Sequence, residues 1–156
     1  MPGQVTRPLL RFLARTPVHT FVLMPIVVAA CELIWRGGTL AFDPWGVPLL
    51  VLGYAQYRLV GQFRSQHGGG GPGVDVPPTR LVTEGPFRFT RNPMYLALCL
   101  LQVALGFFLN DWITLLFVVP LALILHYGVI LREERYLTAK FGEPYLQLKR
   151  DVRRWF

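Results

Sequence analysis

Acidic residues are scarce in this chain, 9 Asp and Glu against 16 Lys and Arg in 156 residues, and it has only two cysteines. Cys31 and Cys99 both fall inside apolar runs, which leaves no support for a disulfide framework or a cysteine-spaced metal site and makes both packing residues. No Gly-x-Ser-x-Gly, P-loop or Rossmann fingerprint follows a strand-like run, so the signatures of common soluble hydrolases, NTPases and dehydrogenases are missing. There is no internal repeat. Charged residues make up 16% of the chain and hydrophobic ones 53%, a balance outside the ordinary soluble range. This is a membrane protein with length for one domain, residues 1–156. The net charge of +7 is read as lipid-facing and topological, not as a nucleic-acid footprint, because no basic face with interleaved aromatics stands outside the apolar runs.

Four apolar segments are near the roughly 20 residues that cross a bilayer core. They run from about Val18 to Trp35, Trp45 to Phe63, Pro93 to Leu109 and Trp112 to Leu131, with Pro25, Pro48 and Pro120 as candidate bends and Trp35, Trp45 and Trp112 at interfaces. Val28-Ala29-Ala30-Cys31 has the form of a lipoprotein cleavage box, but several spans would remain after it. Arg7, Arg11 and Arg15 precede the first segment, Arg64, Arg80, Arg88 and Arg91 follow the second, and seven basic residues from Arg132 to Arg154 follow the fourth. The other connections hold Arg36 against Asp43, and Asn110 with Asp111. The positive-inside rule therefore puts both termini and the middle loop in the cytoplasm.

That middle loop, from Gly68 through Pro72 to Pro77-Pro78, is too rich in glycine and proline for long regular structure. It reads as a hinge or lid, or as a linker without a role. Beyond the fourth segment, Arg132 to Phe141 continues as helix, Gly142-Glu143-Pro144 is a stop, and Pro144 to about Val152 forms a short interfacial helix. The expected fold is all-α and polytopic, with about four transmembrane helices.

Two polar knots border the last two apolar runs. In the first, Arg91-Asn92-Pro93 reads as N-cap and first residue of a helix, with Tyr95 one turn inside. One reading is a capped helix anchored by Arg88 and Arg91; the other is an anion site made by the amides, the positive helix end and Arg91. In the second, His126 precedes Glu133 and Glu134 by about two turns, so it shares a face with one or both. A packed histidine beside a solvated, salt-bridged pair is the plain reading. Ionisable groups at this depth more often turn inward, and an antiparallel hairpin would bring Asn92 and the paired glutamates to one edge. With no second histidine at ligand spacing, no metal site is assigned.

The blocks from Leu81 to Tyr95, then His126 with Glu133-Glu134, then Phe141-Gly142-Glu143-Pro144-Tyr145 and Arg154-Trp155 resemble, in order and spacing, the isoprenylcysteine carboxyl methyltransferases and related phospholipid methyltransferases. The resemblance covers about residues 45–156. It implies an integral membrane enzyme using S-adenosylmethionine. It assigns Gly85, Arg91, Asn92, Pro93, Tyr95, His126, Glu133 and Glu134 to the cofactor, and Tyr145, Arg150 and Arg154 to the acceptor side, with Glu134 and Arg154 as the catalytic candidates. Val152-Arg153-Arg154-Trp155 departs from the family's frequent Val-Pro-Arg-Trp. The acceptor would be a lipophilic small molecule or lipid bearing a carboxylate, thiol or amine, entering from the bilayer while the cofactor enters from the cytoplasm. The alternatives are a non-catalytic membrane scaffold binding lipid or a partner and, less favoured in so short a chain, a reductase.

Overall fold

A computed structural model describes residues 23–35, 37, 42–69, 78–109 and 112–156. The N-terminal arm with Arg7, Arg11 and Arg15, the start of the first apolar segment, Arg36, the glycine-rich stretch 70–77, and Asn110 with Asp111 lie outside these residues. Among the described residues the chain is helical and has no strand.

Helix α1 runs Met24–Trp35 and α2 runs Gly46–Gly68. A 3₁₀ turn, Gly85–Arg88, leads into α3, Pro93–Phe108. A helical ridge follows: α4, Trp112–Leu116; α5, Val118–Leu123; a π-helical segment, Ile124–Ile130; and α6, Leu131–Phe141. Helix α7, Glu143–Asp151, ends the helical part.

The prolines act by position. Pro25 and Pro48 stand in the first turns of α1 and α2, where no intrahelical bond depends on their missing N–H, so neither bends its helix as the sequence reading allowed. Pro120 is different: it cannot bond the carbonyl of Leu116, and a turn at Phe117 separates α4 from α5, with Phe117 N–H donating to Thr114 O at 3.2 Å. Gly142, at φ +59°, ends α6 as expected, its N–H donating to Thr138 O.

Helices α2 and α3 pack antiparallel. Asp43 N–H donates to Phe108 O at 2.6 Å, a Cβ on Gly46 would strike the backbone of Phe108, and Gly53 faces Leu101. The core between α2, α3 and the last long helix contains Tyr57, Val60, Leu98, Leu121, Leu125 and Ile130. Cys99 is buried in it, but Cys31 is exposed on α1, contrary to the packing role expected for both.

Of the described helices, Thr114–Phe141, 28 residues, is long and apolar enough to cross a membrane. Its length is about 42 Å at 1.5 Å per residue, and it is apolar through Leu131 and polar from Arg132 onward. Pro25–Trp35 and Pro93–Phe108 are apolar but shorter. Helix α2 has sufficient length at 23 residues, but it carries Arg58 and Arg64.

Candidate active site in a cleft of paired charges

The start of α3, the polar end of α6, helix α7 and the cytoplasm-facing end of α2 enclose a cleft of about 60 Å³. Its roof is Pro78, Leu81, Val82 and Phe87; its walls are Arg64, Arg91 to Tyr95, Glu133, Glu134, Leu137, Tyr145 and Leu148. The anticipated hairpin therefore brings the two polar knots together. Tyr95 Oη–H donates to Glu133 Oε2 at 2.7 Å, joining the first turn of α3 to α6.

Glu134 is 5% exposed and collects three cations. Arg154 grips it with both ends of its guanidinium fork, Nε to Oε1 at 2.8 Å and Nη2 to Oε2 at 2.9 Å. Arg91 Nη1 stands 3.3 Å from Oε1, and Lys149 Nζ 3.7 Å from Oε2. Burial acts to raise the Glu134 carboxyl, but the Arg154 hydrogen bond and the charges of Arg91, Arg154 and Lys149 outweigh it and hold it below the usual carboxylate range. The same bond raises Arg154 further. Glu134 is thus an ionised anchor here, and a poor base near neutrality. Tyr145 goes the other way: burial, reinforced by the charge of Glu134, pushes its phenol up to about 12.

Arg91 is the donor with capacity to spare. Its side chain is 8% exposed, and its Nε and Nη1 make no hydrogen bond among the described residues. A buried guanidinium in a cleft wall with unfilled donors suits an incoming carboxylate or phosphate.

The last residues of the chain complete the site through their backbone. Arg91 N–H donates to Arg153 O at 3.0 Å, while Thr90 Oγ1–H and Asn92 Nδ2–H both donate to Arg154 O, at 3.0 and 2.9 Å. Asn92 therefore makes no side-chain cap, which corrects the sequence reading: its amide ties the tail to the start of α3, and Thr90 Oγ1 accepts the Asn92 N–H instead. Pro93 does occupy the first turn, as expected. His126 lies in the π segment outside the cleft. Its Nδ1 accepts from Trp155 Nε1–H at 3.2 Å, which assigns the neutral ring's proton to Nε2. The ring stacks with Trp155, and Arg154 Nη1 lies 3.5 Å from Nε2, so His126 and Glu134 share a face through Arg154.

Two other expected site residues are not brought to the cleft. Gly85 adopts φ +56° beneath the Phe63 ring, where any Cβ would collide, so its place in the turn has a steric cause. Arg150 is exposed and pairs with Glu143 and Gln147 on the outer side of α7. Conversely, Arg64, read from sequence as a topological charge, is 5% exposed and faces Glu133 at 3.9 Å. A basic residue two-thirds along an otherwise uncharged stretch of α2 was the available signal. Lys149 was likewise overlooked.

Against known proteins, residues 46–144 match the family model described as phospholipid methyltransferase. An uncharacterized protein from Haemophilus influenzae is 40% identical over 62 residues, covering 40% of this chain and 98% of that protein. No solved structure matches. The matched region runs from the first residue of α2 into α7 and contains most of the cleft, including Arg64, Arg91, Tyr95 and both glutamates. By that match the chain belongs to the phospholipid methyltransferase family, whose relatives include the isoprenylcysteine carboxyl methyltransferases.

Proposed function

We propose that this protein is an integral membrane methyltransferase that moves the methyl group of S-adenosylmethionine to a small lipophilic or lipid acceptor, with the cleft as its cofactor site. The observation that carries the reading is the charge arrangement in one small cleft: a buried arginine with unfilled donors, Arg91, beside two carboxylates, Glu133 and Glu134, under an apolar roof. A zwitterionic amino acid moiety attached to an apolar ring system needs those groups together. Arg91 would take the carboxylate, Glu133 the ammonium, and Leu81, Val82, Phe87 and Leu137 the flat adenine.

S-adenosylmethionine supplies a methyl carbon activated by the adjacent sulfonium. The protein's task is then positioning and exclusion of water, because displacement needs the acceptor atom in line with the carbon–sulfur bond. Tyr95 holds Glu133, and Arg154 fixes Glu134 against α7, so neither carboxylate must reorganise when the ligand arrives. A carboxylate or thiolate acceptor attacks without a base; an amine must first lose a proton. At about 60 Å³ the cleft has room for a few waters only, so entry of a cofactor requires the Pro78–Val82 roof to lift. Lys140 Nζ donating to Pro78 O at 2.9 Å, and Thr79 and Arg80 N–H donating to Gly68 O at 2.8 Å, hold that roof down.

In this reading four spans cross the bilayer, both termini and the cleft face the cytoplasm, and the acceptor enters from the lipid. The second reading, a non-catalytic scaffold, draws support from Glu134, whose full set of cations suits a structural ion cluster. Calorimetric titration of the detergent-purified protein with S-adenosylmethionine and its demethylated product separates the two. Saturable binding of either is expected; its absence in folded protein overturns the enzyme reading in favour of the scaffold.

A further inference from the structure

On the opposite side of Glu134 from the cleft lies a second, open groove of about 610 Å³ between α6 and α7. Its polar rim is Arg135, Lys149, Arg154 and Thr138, and its apolar wall is Leu131 and Ala139. Three cations face one carboxylate, so the groove carries a net positive charge. The cations are not equally committed. Arg154 is bound to Glu134 at hydrogen-bond distance through two nitrogens, whereas Lys149, at 3.7 Å, forms only a loose ion pair. Lys149 and Arg154 remain about one-third exposed, at 35% and 31% of their side chains. Arg135 is steadied by its own Nε–H on Leu131 O at 3.2 Å, which holds its guanidinium at the rim.

Position favours a lipid over a free ion. Leu131 is the last residue of the apolar stretch of the long helix, so the groove opens where the hydrocarbon-facing surface ends and headgroups begin. A phosphodiester there would have a cationic rim for its oxygens and an apolar wall for the glycerol side.

The geometry points to this groove as a binding site for the phosphate of a membrane lipid headgroup, held by Arg135 and Lys149 with the exposed side of Arg154. The inference rests on the methyltransferase reading in one respect: it places the headgroup of a lipid acceptor one carboxylate away from the methyl donor. It adds a coupling. Glu134 separates the two sites, and an anion that draws Lys149 away leaves this carboxylate less neutralised and a better partner for a cationic ligand in the cleft. Each ligand then tightens the other by the same factor.

The test is calorimetry on the full-length, detergent-purified protein with dihexanoyl phosphatidylethanolamine below its micellar concentration, with inorganic phosphate as the competing probe. Saturable lipid binding is expected, about tenfold weaker in Arg135→Gln/Lys149→Gln, as loss of charge-assisted bonds implies, and kept in Lys149→Arg. Equal binding by the double variant, in protein with an unchanged melting temperature, overturns the site. Displacement of the lipid by equimolar inorganic phosphate also overturns it, because the groove would then be a free-anion site. Titration of S-adenosylmethionine on the same samples distinguishes the two proposals. If the cofactor does not bind but the lipid does, the donor assignment fails and the groove stands. If the cofactor binds and the variants leave lipid affinity unchanged, only the groove fails.

Discussion

Removing the charge of Glu134 should expose how much of the fold depends on it. In Glu134→Gln the buried guanidinium of Arg91 loses its anion, and Arg154 exchanges two charge-assisted bonds for weaker ones. Breaking a fully buried pair costs about 3–5 kcal/mol. Arg154 is 31% exposed and recovers part of its solvation, which brings the expectation to about 2 kcal/mol. For a chain of this size that corresponds to about 4–8 °C in melting temperature. Arg154→Met should cost a similar amount, because it leaves Glu134 with Arg91 at 3.3 Å and Lys149 at 3.7 Å but without its closest partner. The informative sample is the double variant. If the two groups act as one unit, it melts close to the singles and not at the sum of their losses. Intrinsic-fluorescence melting of all four proteins in one detergent measures the cycle. Strictly additive losses would refute the claim that Glu134 and Arg154 form the joint between α6 and the tail.

Arg91→Met should leave the protein folded and weaken S-adenosylmethionine binding at least tenfold by calorimetry; unchanged affinity would move the carboxylate pocket elsewhere. Because Glu134 is held below its ordinary pKa, its contribution to stability is fully present above about pH 4.3 and is lost as pH falls through the lowered value. Melting temperature should therefore lose this contribution only in the acid range below that, and Glu134→Gln should lack this part of the decline. With Tyr145 pushed up to about 12, its phenol stays neutral through the working range, so Tyr145→Phe should not alter the shape of an activity–pH profile between about pH 6 and 10. Trp155→Phe removes the donor to His126 Nδ1 and should lower stability by about 1 kcal/mol. Cysteines placed at Glu143 and Gln147 on the exposed side of α7 should label from the cytoplasmic side of sealed vesicles; labelling from the opposite side would invert the proposed topology.

Much of the fold was legible because its signals are local. Asn92-Pro93 marks a helix start, Gly142-Glu143-Pro144 a stop, and the apolar run ending at Leu131 the long helix, each decided within a few residues. The paired glutamates also stood out, since charge directly beyond an apolar stretch seldom faces lipid. What escaped was set by contacts between distant parts of the chain. The docking of the tail uses the carbonyls of Arg153 and Arg154, groups every residue possesses, so no residue pattern announces it. Asn92 was assigned a cap because caps are the usual local use of asparagine, yet a carbonyl 62 positions away takes its amide. Arg64 was counted among topological charges; only the packing of α2 against α3 brings it to Glu133. The apolar periodicity of residues 124–130 gave no sign that this stretch widens into a π turn around His126.

The tail's return to the start of α3 also has a consequence for biosynthesis. Thr90 and Asn92 must await the carbonyl of Arg154, which is synthesised some 60 residues later, about 3–12 s at ordinary elongation rates. During that interval the long helix can already be lodged in the bilayer while Arg91 and Glu134 still lack the segment that locks them. Quality control at the membrane therefore meets a nascent species whose helices are inserted but whose charge cluster is open. A ribosome stalled before codon 153 would leave that species behind, stable enough to persist and unable to close its own site.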